Sequence, residues 1–221
     1  MATALRRERE GRREASIRKP GDLPAVPAWG RTVDARTWKT GMAPGITLVL
    51  GGARSGKSAV AERLAAASST DGAAGGVTYV ATGPVLPDDP DWCSRVAAHQ
   101  ARRPAGWRTV ELPDAGILPT ILLGEKALVL VDSLGTWLAR APRFAVDARQ
   151  LCDALAERRR LGRPSILVAE ETGMGVHPET DAGRRFRDAL GLLNAAVAAI
   201  ADRALLVVAG RVLELARAGE V

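Results

Sequence analysis

The sequence is poor in aromatic residues, cysteine and histidine. Aromatic side chains make up 4% of the 221 residues, and there are two cysteines and two histidines. Because Cys93 and Cys152 lie far apart and form no CxxC pair, the sequence shows no pattern of a disulfide framework or of a cysteine-based zinc site. A reducing cytoplasm is therefore the expected location. With so few aromatics, the core has to consist of Ala, Val, Leu and Ile, which is typical of parallel strands covered by Ala-rich helices.

Long apolar runs are also missing. No stretch reaches the roughly 18 apolar residues that a membrane span requires, and residues 1–45 lack the apolar core of a secretory signal. We therefore expect neither a membrane span nor export. At 47% apolar residues, the chain can nevertheless bury a substantial core, which excludes a disordered protein for residues 46–221.

Positive charge is concentrated at the amino end. The chain has a formal charge of +6, which taken alone suggests a nucleic-acid or membrane-surface partner. Residues 1–45 hold ten Lys and Arg against five Asp and Glu, a net +5, whereas residues 46–221 carry only +1. We therefore predict a basic, flexible leader over 1–45, a nearly neutral domain over 46–221, and no nucleic-acid partner. Met42, just before the first predicted strand, is a candidate for the natural start.

From residue 46 onward, short apolar runs alternate with longer stretches of helical spacing, which is the pattern of an α/β fold. Six runs are predicted as strands, at 46–50, 77–81, 108–111, 127–131, 165–169 and 204–208. Most are continuously apolar, as is typical of strands buried on both faces of a parallel sheet. Four stretches are predicted as helices, at 57–68, 91–102, 147–161 and 179–201.

The first predicted strand leads into a Walker A motif. The residues Gly51-Gly52-Ala53-Arg54-Ser55-Gly56-Lys57-Ser58 match G-x-x-x-x-G-K-[ST], with the required strand before and helix after. Glycines let the backbone wrap around phosphate oxygens, while successive amides and the helix N-terminus supply donors. Lys57 can reach the β and γ phosphates, and the Ser58 hydroxyl can bind Mg²⁺. All eight residues are predicted to bind nucleotide; the alternative is a glycine-rich turn that only resembles the motif.

A second acidic group is expected to hold the Mg²⁺ from a neighbouring strand end. Asp132 follows the apolar run at 127–131, so we predict it as a metal ligand together with Ser58. The competing interpretation is a helix N-cap, because Asp is common where a strand leads into a helix. To this point, the residues predict a Mg²⁺-dependent nucleotide-binding domain without indicating its substrate.

Further motifs follow in a fixed order between residues 46 and 210. They are GGARSGKS at 51–58, YVAT at 79–82, HxxxRPxxWRT at 99–109, ETGMGVHPE at 171–179, FRD at 186–188 and LVVAG at 206–210. In this combination, the chain resembles the bifunctional adenosylcobinamide kinase/adenosylcobinamide-phosphate guanylyltransferase family of cobalamin biosynthesis. The resemblance implies a RecA-like P-loop NTPase fold, with a mostly parallel central sheet flanked by helices.

The resemblance also implies a two-step transferase. The family phosphorylates the aminopropanol hydroxyl of adenosylcobinamide, then transfers GMP from GTP to the new phosphate through a covalent guanylyl-histidine. By the motif match, His99 is the nucleophile, and Lys57 is catalytic. Neutral imidazole, with a pKa of about 6.5, is a good nucleophile at neutral pH. From the residues alone, His99 would be interpreted as a histidine beside the apolar stripe of a helix, and His177 as a loop residue.

Weaker assignments come from the same resemblance. The following residues are placed at the nucleotide: Thr82, Gly83, Pro84, Gln100, Ala101, Arg102, Arg103, Glu111 and Asp132. For Glu111, an ordinary polar strand end is an equal alternative. Implied as well are Mg²⁺ as cofactor, GTP and ATP as substrates, a corrinoid partner and a homotrimer. The sequence leaves open an enzyme that has lost its kinase reaction, a RecA-like ATPase acting on nucleic acid, and a regulatory nucleotide-binding module.

Overall fold

A seven-stranded sheet flanked by helices makes up the described part of the chain, residues 45–70, 76–84 and 88–217 of a computed structural model. Of the predicted leader at 1–45, all but residue 45 lies outside these ranges. The strands are β1 (Ile46–Gly51), β2 (Val77–Ala81), β3 (Arg108–Glu111), β4 (Leu128–Asp132), β5 (Ser165–Glu170), β6 (Arg203–Val208) and β7 (Arg211–Leu215). The helices are α1 (Lys57–Thr70), α2 (Pro90–Arg102), α3 (Leu118–Gly124), α4 (Leu134–Arg140), α5 (Ala148–Arg160) and α6 (Asp181–Ile200), with 3-10 turns at Ala115–Ile117 and Pro142–Phe144.

All six predicted strands and all four predicted helices are present, with ends that differ by no more than two residues. The sequence prediction missed β7, α3 and α4. Most of β7 is exposed, so it shows no continuous apolar run. The two missed helices have seven residues each, which is too short for a helical period to be recognised.

The sheet has the strand order β3-β2-β4-β5-β1-β6-β7. Every neighbouring pair is parallel except β6 and β7, which form an antiparallel hairpin at the edge. The prediction of an α/β fold with a mostly parallel sheet is confirmed. Because parallel strands end at the same edge, the carboxyl ends of β1, β5 and β4 lie side by side, with β5 in the middle.

The central strands are buried on both faces, as their continuous apolar runs predict. All six residues of β1 and the first five of β5 are buried. On one face, residues such as Leu48, Val131 and Leu167 form a cluster with buried side chains of α3, α4, α5 and α6. The residues that alternate with them, among them Val49 and Leu130, face the other side, where α1 contacts the same strands. The loops that follow these strands therefore start from fixed positions.

A buried arginine stabilises the amino edge of the sheet, opposite the carboxyl ends of the parallel strands. Arg158 of α5 is 0% exposed, and each of its guanidinium nitrogens donates at least one hydrogen bond. The acceptors are Ser165 Oγ and the carbonyl oxygens of Leu122, Glu125, Ala127 and Pro164, at 2.5–3.0 Å. Burial lowers the pKa of Arg158 to about 10, so the group stays protonated at neutral pH. It joins α5 to the end of α3 and to the starts of β4 and β5.

We expect Arg158→Met to destabilise the fold strongly, because the substitution leaves buried carbonyl groups without donors. Each unsatisfied buried group costs about 1–3 kcal/mol, so the free energy of unfolding should fall by about 3 kcal/mol or more. Urea unfolding followed by circular dichroism at neutral pH would measure the change. The matched control is Arg160→Met on the same helix, since Arg160 is exposed and pairs with Glu157. It should unfold at nearly the wild-type urea concentration, and equal losses in the two variants would contradict the assignment.

Candidate active site

The Walker A residues form the turn between β1 and α1, as predicted. β1 ends at Gly51, and α1 begins at Lys57. Two residues of the turn adopt left-handed backbone conformations, Arg54 with φ of 56° and Gly56 with φ of 95°. The turn is closed by a hydrogen bond from Ser55 N to the Gly52 carbonyl at 3.3 Å. The strand, loop and helix that the motif requires are therefore all in place.

The loop packs tightly on its neighbours. A Cβ atom on Gly51 would lie 2.5 Å from Ser55 Oγ and 2.7 Å from the carbonyl oxygen of Val207, so no larger residue fits. On the other side, Gly210 in the β6–β7 turn donates its amide to the Ser55 carbonyl at 2.9 Å. The Ser55 hydroxyl is buried and has no hydrogen-bond partner among the described residues. An unpaired buried donor within this loop fits a site that receives phosphate oxygens.

Lys57 lies close to a carboxylate that sequence reasoning missed. Its Nζ atom is 3.4 Å from the Gly52 carbonyl oxygen and 3.6 Å from Glu170 Oε1. The side chain of Lys57 is 12% exposed and that of Glu170 is 26% exposed. Glu170 is the last residue of β5, directly after an apolar run like the one that precedes Asp132. The rule that identified Asp132 would therefore have identified Glu170 as well.

Asp132 ends β4, and its side chain accepts a hydrogen bond from Tyr79 Oη at 2.8 Å. Burial, with the negative charge of Asp132 as a further cause, raises the pKa of Tyr79 well above its usual value, so the phenol stays a donor. The alternative role of Asp132 as a helix N-cap is wrong, because Ser133 caps α4 and shares a capping box with Thr136. Because the Asp132 carboxylate caps no helix, it is available to a ligand at this edge of the sheet.

His99 lies in the last turn of α2, and its neighbours are charged. Its Nδ1 atom is 3.7 Å from Glu62 Oε1, 3.7 Å from Asp132 Oδ2 and 3.1 Å from Arg102 Nη2. The packing interpretation that the residues alone suggested, a histidine beside an apolar stripe, does not describe this environment. The structure thus places His99 next to Asp132, at the carboxyl edge of the sheet.

Glu62 is the second group that sequence reasoning missed. It belongs to α1 and is 6% exposed, and its two carboxylate oxygens accept hydrogen bonds from Arg102 at 3.0 and 3.3 Å. Burial alone would raise the pKa of Glu62, but its interactions with His99 and Arg102 outweigh burial and hold the pKa below its usual value. The carboxylate is therefore ionised at neutral pH. The signal in the sequence is a charged residue among the buried positions of α1, such as Val60, Ala61 and Leu64.

Two predicted nucleotide contacts face the protein. The guanidinium carbon of Arg103 lies 3.4 Å from the centre of the Tyr79 ring, a cation–π contact, and Arg103 Nη1 donates to Thr109 Oγ1 at 3.3 Å. Thr82 is fully buried, and its hydroxyl donates to the Ser133 carbonyl at 2.6 Å. Both residues therefore support the groups around Asp132.

The other predicted contacts are more open. Gln100 and Ala101 are exposed on α2, and Gly83 and Pro84 are half-buried after β2. Glu111 is exposed at the end of β3, an edge strand that β2 separates from β4. His177 lies in an exposed loop, as predicted, with Nδ1 at 2.7 Å from Arg187 Nη1.

The oxygen donors at this edge suit Mg²⁺ that arrives with a nucleotide. Among the described residues, no group of three or more His, Cys, Asp or Glu side chains could hold a metal ion by itself. The Ser58 hydroxyl and the Asp132 carboxylate are hard oxygen ligands, and Mg²⁺ is usually bound by one or two carboxylates together with phosphates. The donor set therefore fits a metal shared with substrate phosphates.

Among the described residues, none of the helices has the length and apolar character needed to cross a bilayer.

Comparison with known proteins identifies the family of the chain. A family model described as cobinamide kinase / cobinamide phosphate guanyltransferase matches residues 47–215. The bifunctional adenosylcobalamin biosynthesis protein CobP of Pseudomonas aeruginosa is 41% identical over 172 residues, covering 74% of this chain and 92% of that protein. The corresponding CobU proteins of Escherichia coli and Salmonella typhimurium are 36% and 35% identical over 181 residues, covering 74% of this chain and 95% of each protein. With the Walker A loop, His99, Asp132 and Glu170 all inside the matched region, the chain belongs to the cobinamide kinase / cobinamide phosphate guanyltransferase family.

Proposed function

We propose that this protein phosphorylates adenosylcobinamide with ATP or GTP. It then transfers GMP from GTP to adenosylcobinamide phosphate through a guanylyl group on His99, giving adenosylcobinamide-GDP. The observation that carries the proposal is the meeting of two parts at one edge of the sheet: a Walker A loop with Lys57 at the end of β1, and His99 beside the carboxylate that ends β4. A Walker A loop alone would support any nucleotide-dependent reaction, whereas the histidine provides a nucleophile for GMP.

In the kinase reaction, the Walker A loop holds the donor nucleotide. The amides of the loop and the N-terminus of α1 bind phosphate oxygens, while the Lys57 ammonium neutralises charge on the β and γ phosphates. Ser58 and Asp132 would hold the Mg²⁺, which supplies further neutralisation of the phosphates when it is bound. Positioning and charge stabilisation of this kind account for most of the catalysis in phosphoryl transfer.

In the guanylyl transfer, the His99 imidazole attacks the α-phosphorus of GTP. A P–N bond forms as the bond to pyrophosphate breaks, and the imidazole ring becomes positively charged. Glu62 and Asp132, each 3.7 Å from Nδ1, stabilise that developing charge and offset the Arg102 guanidinium, which lies 3.1 Å from the same atom. A phosphate oxygen of adenosylcobinamide phosphate then attacks the same phosphorus, which breaks the P–N bond and restores the neutral imidazole.

We expect His99→Asn to abolish the covalent intermediate. Incubating the wild-type protein with GTP and Mg²⁺ should add one GMP, removable by acid because a P–N bond is acid-labile, and intact-mass spectrometry would detect it. The variant should show no added GMP, yet still phosphorylate adenosylcobinamide from γ-labelled ATP. His177→Asn, which changes the only other histidine, is the control and should be labelled like the wild type. A labelled His99→Asn protein, or an unlabelled control, would contradict the assignment.

The metal role of Ser58 gives a separate expectation. Removing divalent cations with EDTA should stop both reactions, and Mg²⁺ should restore them. Because Ser58→Ala deletes a metal ligand, the variant should need a higher Mg²⁺ concentration for half-maximal kinase rate than the wild type does. Ser68→Ala serves as the control, since Ser68 is on the same helix and its hydroxyl donates to the Leu64 carbonyl at 2.8 Å. An unchanged Mg²⁺ requirement in Ser58→Ala would argue against the ligand role.

We further propose that the enzyme is a cytoplasmic homotrimer that binds a corrinoid and no nucleic acid. The trimer and the corrinoid are supported by the family resemblance, and the absence of a nucleic-acid partner by the near-neutral charge of residues 46–221. Sedimentation equilibrium should give about three times the 23.2 kDa of one chain. A mass of one or two chains would refute the trimer without affecting the proposed chemistry.

A further inference from the structure

Glu170 lies at the centre of the carboxyl edge of the sheet. It ends β5, the strand between β1 with its Walker A loop and β4 with Asp132. In the β1–β5 ladder, Glu170 pairs with Gly51, the first glycine of the loop. Its carboxylate is therefore set between the two strand ends that the proposed function assigns to nucleotide and metal.

The position of this carboxylate is fixed from several sides. The Ser133 hydroxyl shares its hydrogen between the two oxygens, at 2.9 Å from Oε1 and 3.0 Å from Oε2. Asn194 Nδ2 donates to the main-chain carbonyl of Glu170 at 3.0 Å. A Cβ atom on residue 135 would overlap the carboxylate, so the space depends on Gly135. Such support holds a reacting group in one geometry.

Lys57 links this carboxylate to the phosphoryl group that is transferred. An ammonium group has three hydrogens, so Lys57 can hold a γ-phosphate oxygen while one hydrogen still points to Glu170 Oε1, 3.6 Å away. The other two carboxylates of the described site are less accessible. The side chains of Asp132 and Glu62 are 10% and 7% exposed, whereas 26% of the Glu170 side chain is exposed.

We propose that Glu170 is the catalytic base of the kinase reaction. The substrate hydroxyl oxygen attacks the γ-phosphorus, and a new P–O bond forms as the bond from that phosphorus to the β–γ bridging oxygen breaks. The hydroxyl proton passes to the Glu170 carboxylate, and the nucleoside diphosphate leaves with the electron pair of the broken bond. Glu170 returns the proton to solvent once the products have gone. The assignment rests on the proposed kinase function of this site.

Only one of the two reactions requires this base. A hydroxyl group must lose its proton to become the phosphate ester. The imidazole of His99 instead attacks with a lone pair, and adenosylcobinamide phosphate attacks with an oxygen that is already ionised. A base at Glu170 is therefore required for phosphorylation and not for guanylyl transfer. A residue that only supported the loop would be required for both reactions.

The test compares both reactions in Glu170→Gln, which keeps the shape and the acceptor oxygen but cannot take up a proton. A general base contributes about 10²–10⁴-fold, so phosphorylation of adenosylcobinamide should slow by at least about 100-fold. Formation of the His99–GMP adduct, and GMP transfer to supplied adenosylcobinamide phosphate, should stay close to wild type. Glu171→Gln is the matched control, because the neighbouring carboxylate accepts only from the Gly173 amide among the described contacts. It should retain both reactions.

Two results would overturn the assignment: phosphorylation that persists in Glu170→Gln, or equal loss of both reactions, which would make Glu170 a support for Lys57. Adduct formation in the same preparation shows that the variant is folded and binds GTP. A second variant, Glu170→Asp, keeps a shorter carboxylate and should phosphorylate faster than Glu170→Gln; equal rates would also refute the base. If the wild-type protein itself did not phosphorylate adenosylcobinamide, the proposed function would fail instead.

Discussion

Parallel pairing of β1, β5 and β4 is the constraint on which the site depends. These strands are buried in the centre of the sheet, and their ladders place Gly51 beside Glu170 and Asp132 beside Val168. The groups that follow the strands therefore meet without any long loop to position them. The amino edge shows the opposite arrangement, because there the charge of Arg158 is buried and satisfied by carbonyl groups. The buried charge at the amino edge is thus satisfied by hydrogen bonds, while the carboxyl edge holds several charged groups, of which His99 and Glu170 are partly exposed.

The charges at the carboxyl edge are paired before any substrate is bound. Lys57 lies next to Glu170, and Arg102 lies next to Glu62 with His99 alongside. Pairing lowers the cost of collecting several charges in a partly buried cleft. It also limits rearrangement on binding, because an ammonium group that meets a phosphate needs only to share its hydrogens between the phosphate and its present partner. The site is therefore organised in advance for anions.

How much of this could be predicted from the sequence depends on how local each signal is. Buried strands and the Walker A turn are defined by neighbouring residues, so both were predicted correctly. Asp132 was selected because it follows an apolar run, and its metal role stays a prediction. The local signal of Glu62, a charge among apolar positions of α1, does not indicate its partner, since Arg102 lies 40 residues away on another helix. The pattern of α2 likewise indicates nothing about the carboxylates near His99, which come from α1 and β4. His99 was identified by family resemblance alone, and its role stays a prediction.

Tyr79 has a consequence for how the site can be observed. It is the single tyrosine of the chain, and it lies between the Arg103 guanidinium and the Asp132 carboxylate. The environment of this phenol therefore changes whenever the charges around it change. Any signal specific to tyrosine, once separated from those of the five tryptophans, therefore originates next to Asp132, where nucleotide and metal are expected to bind.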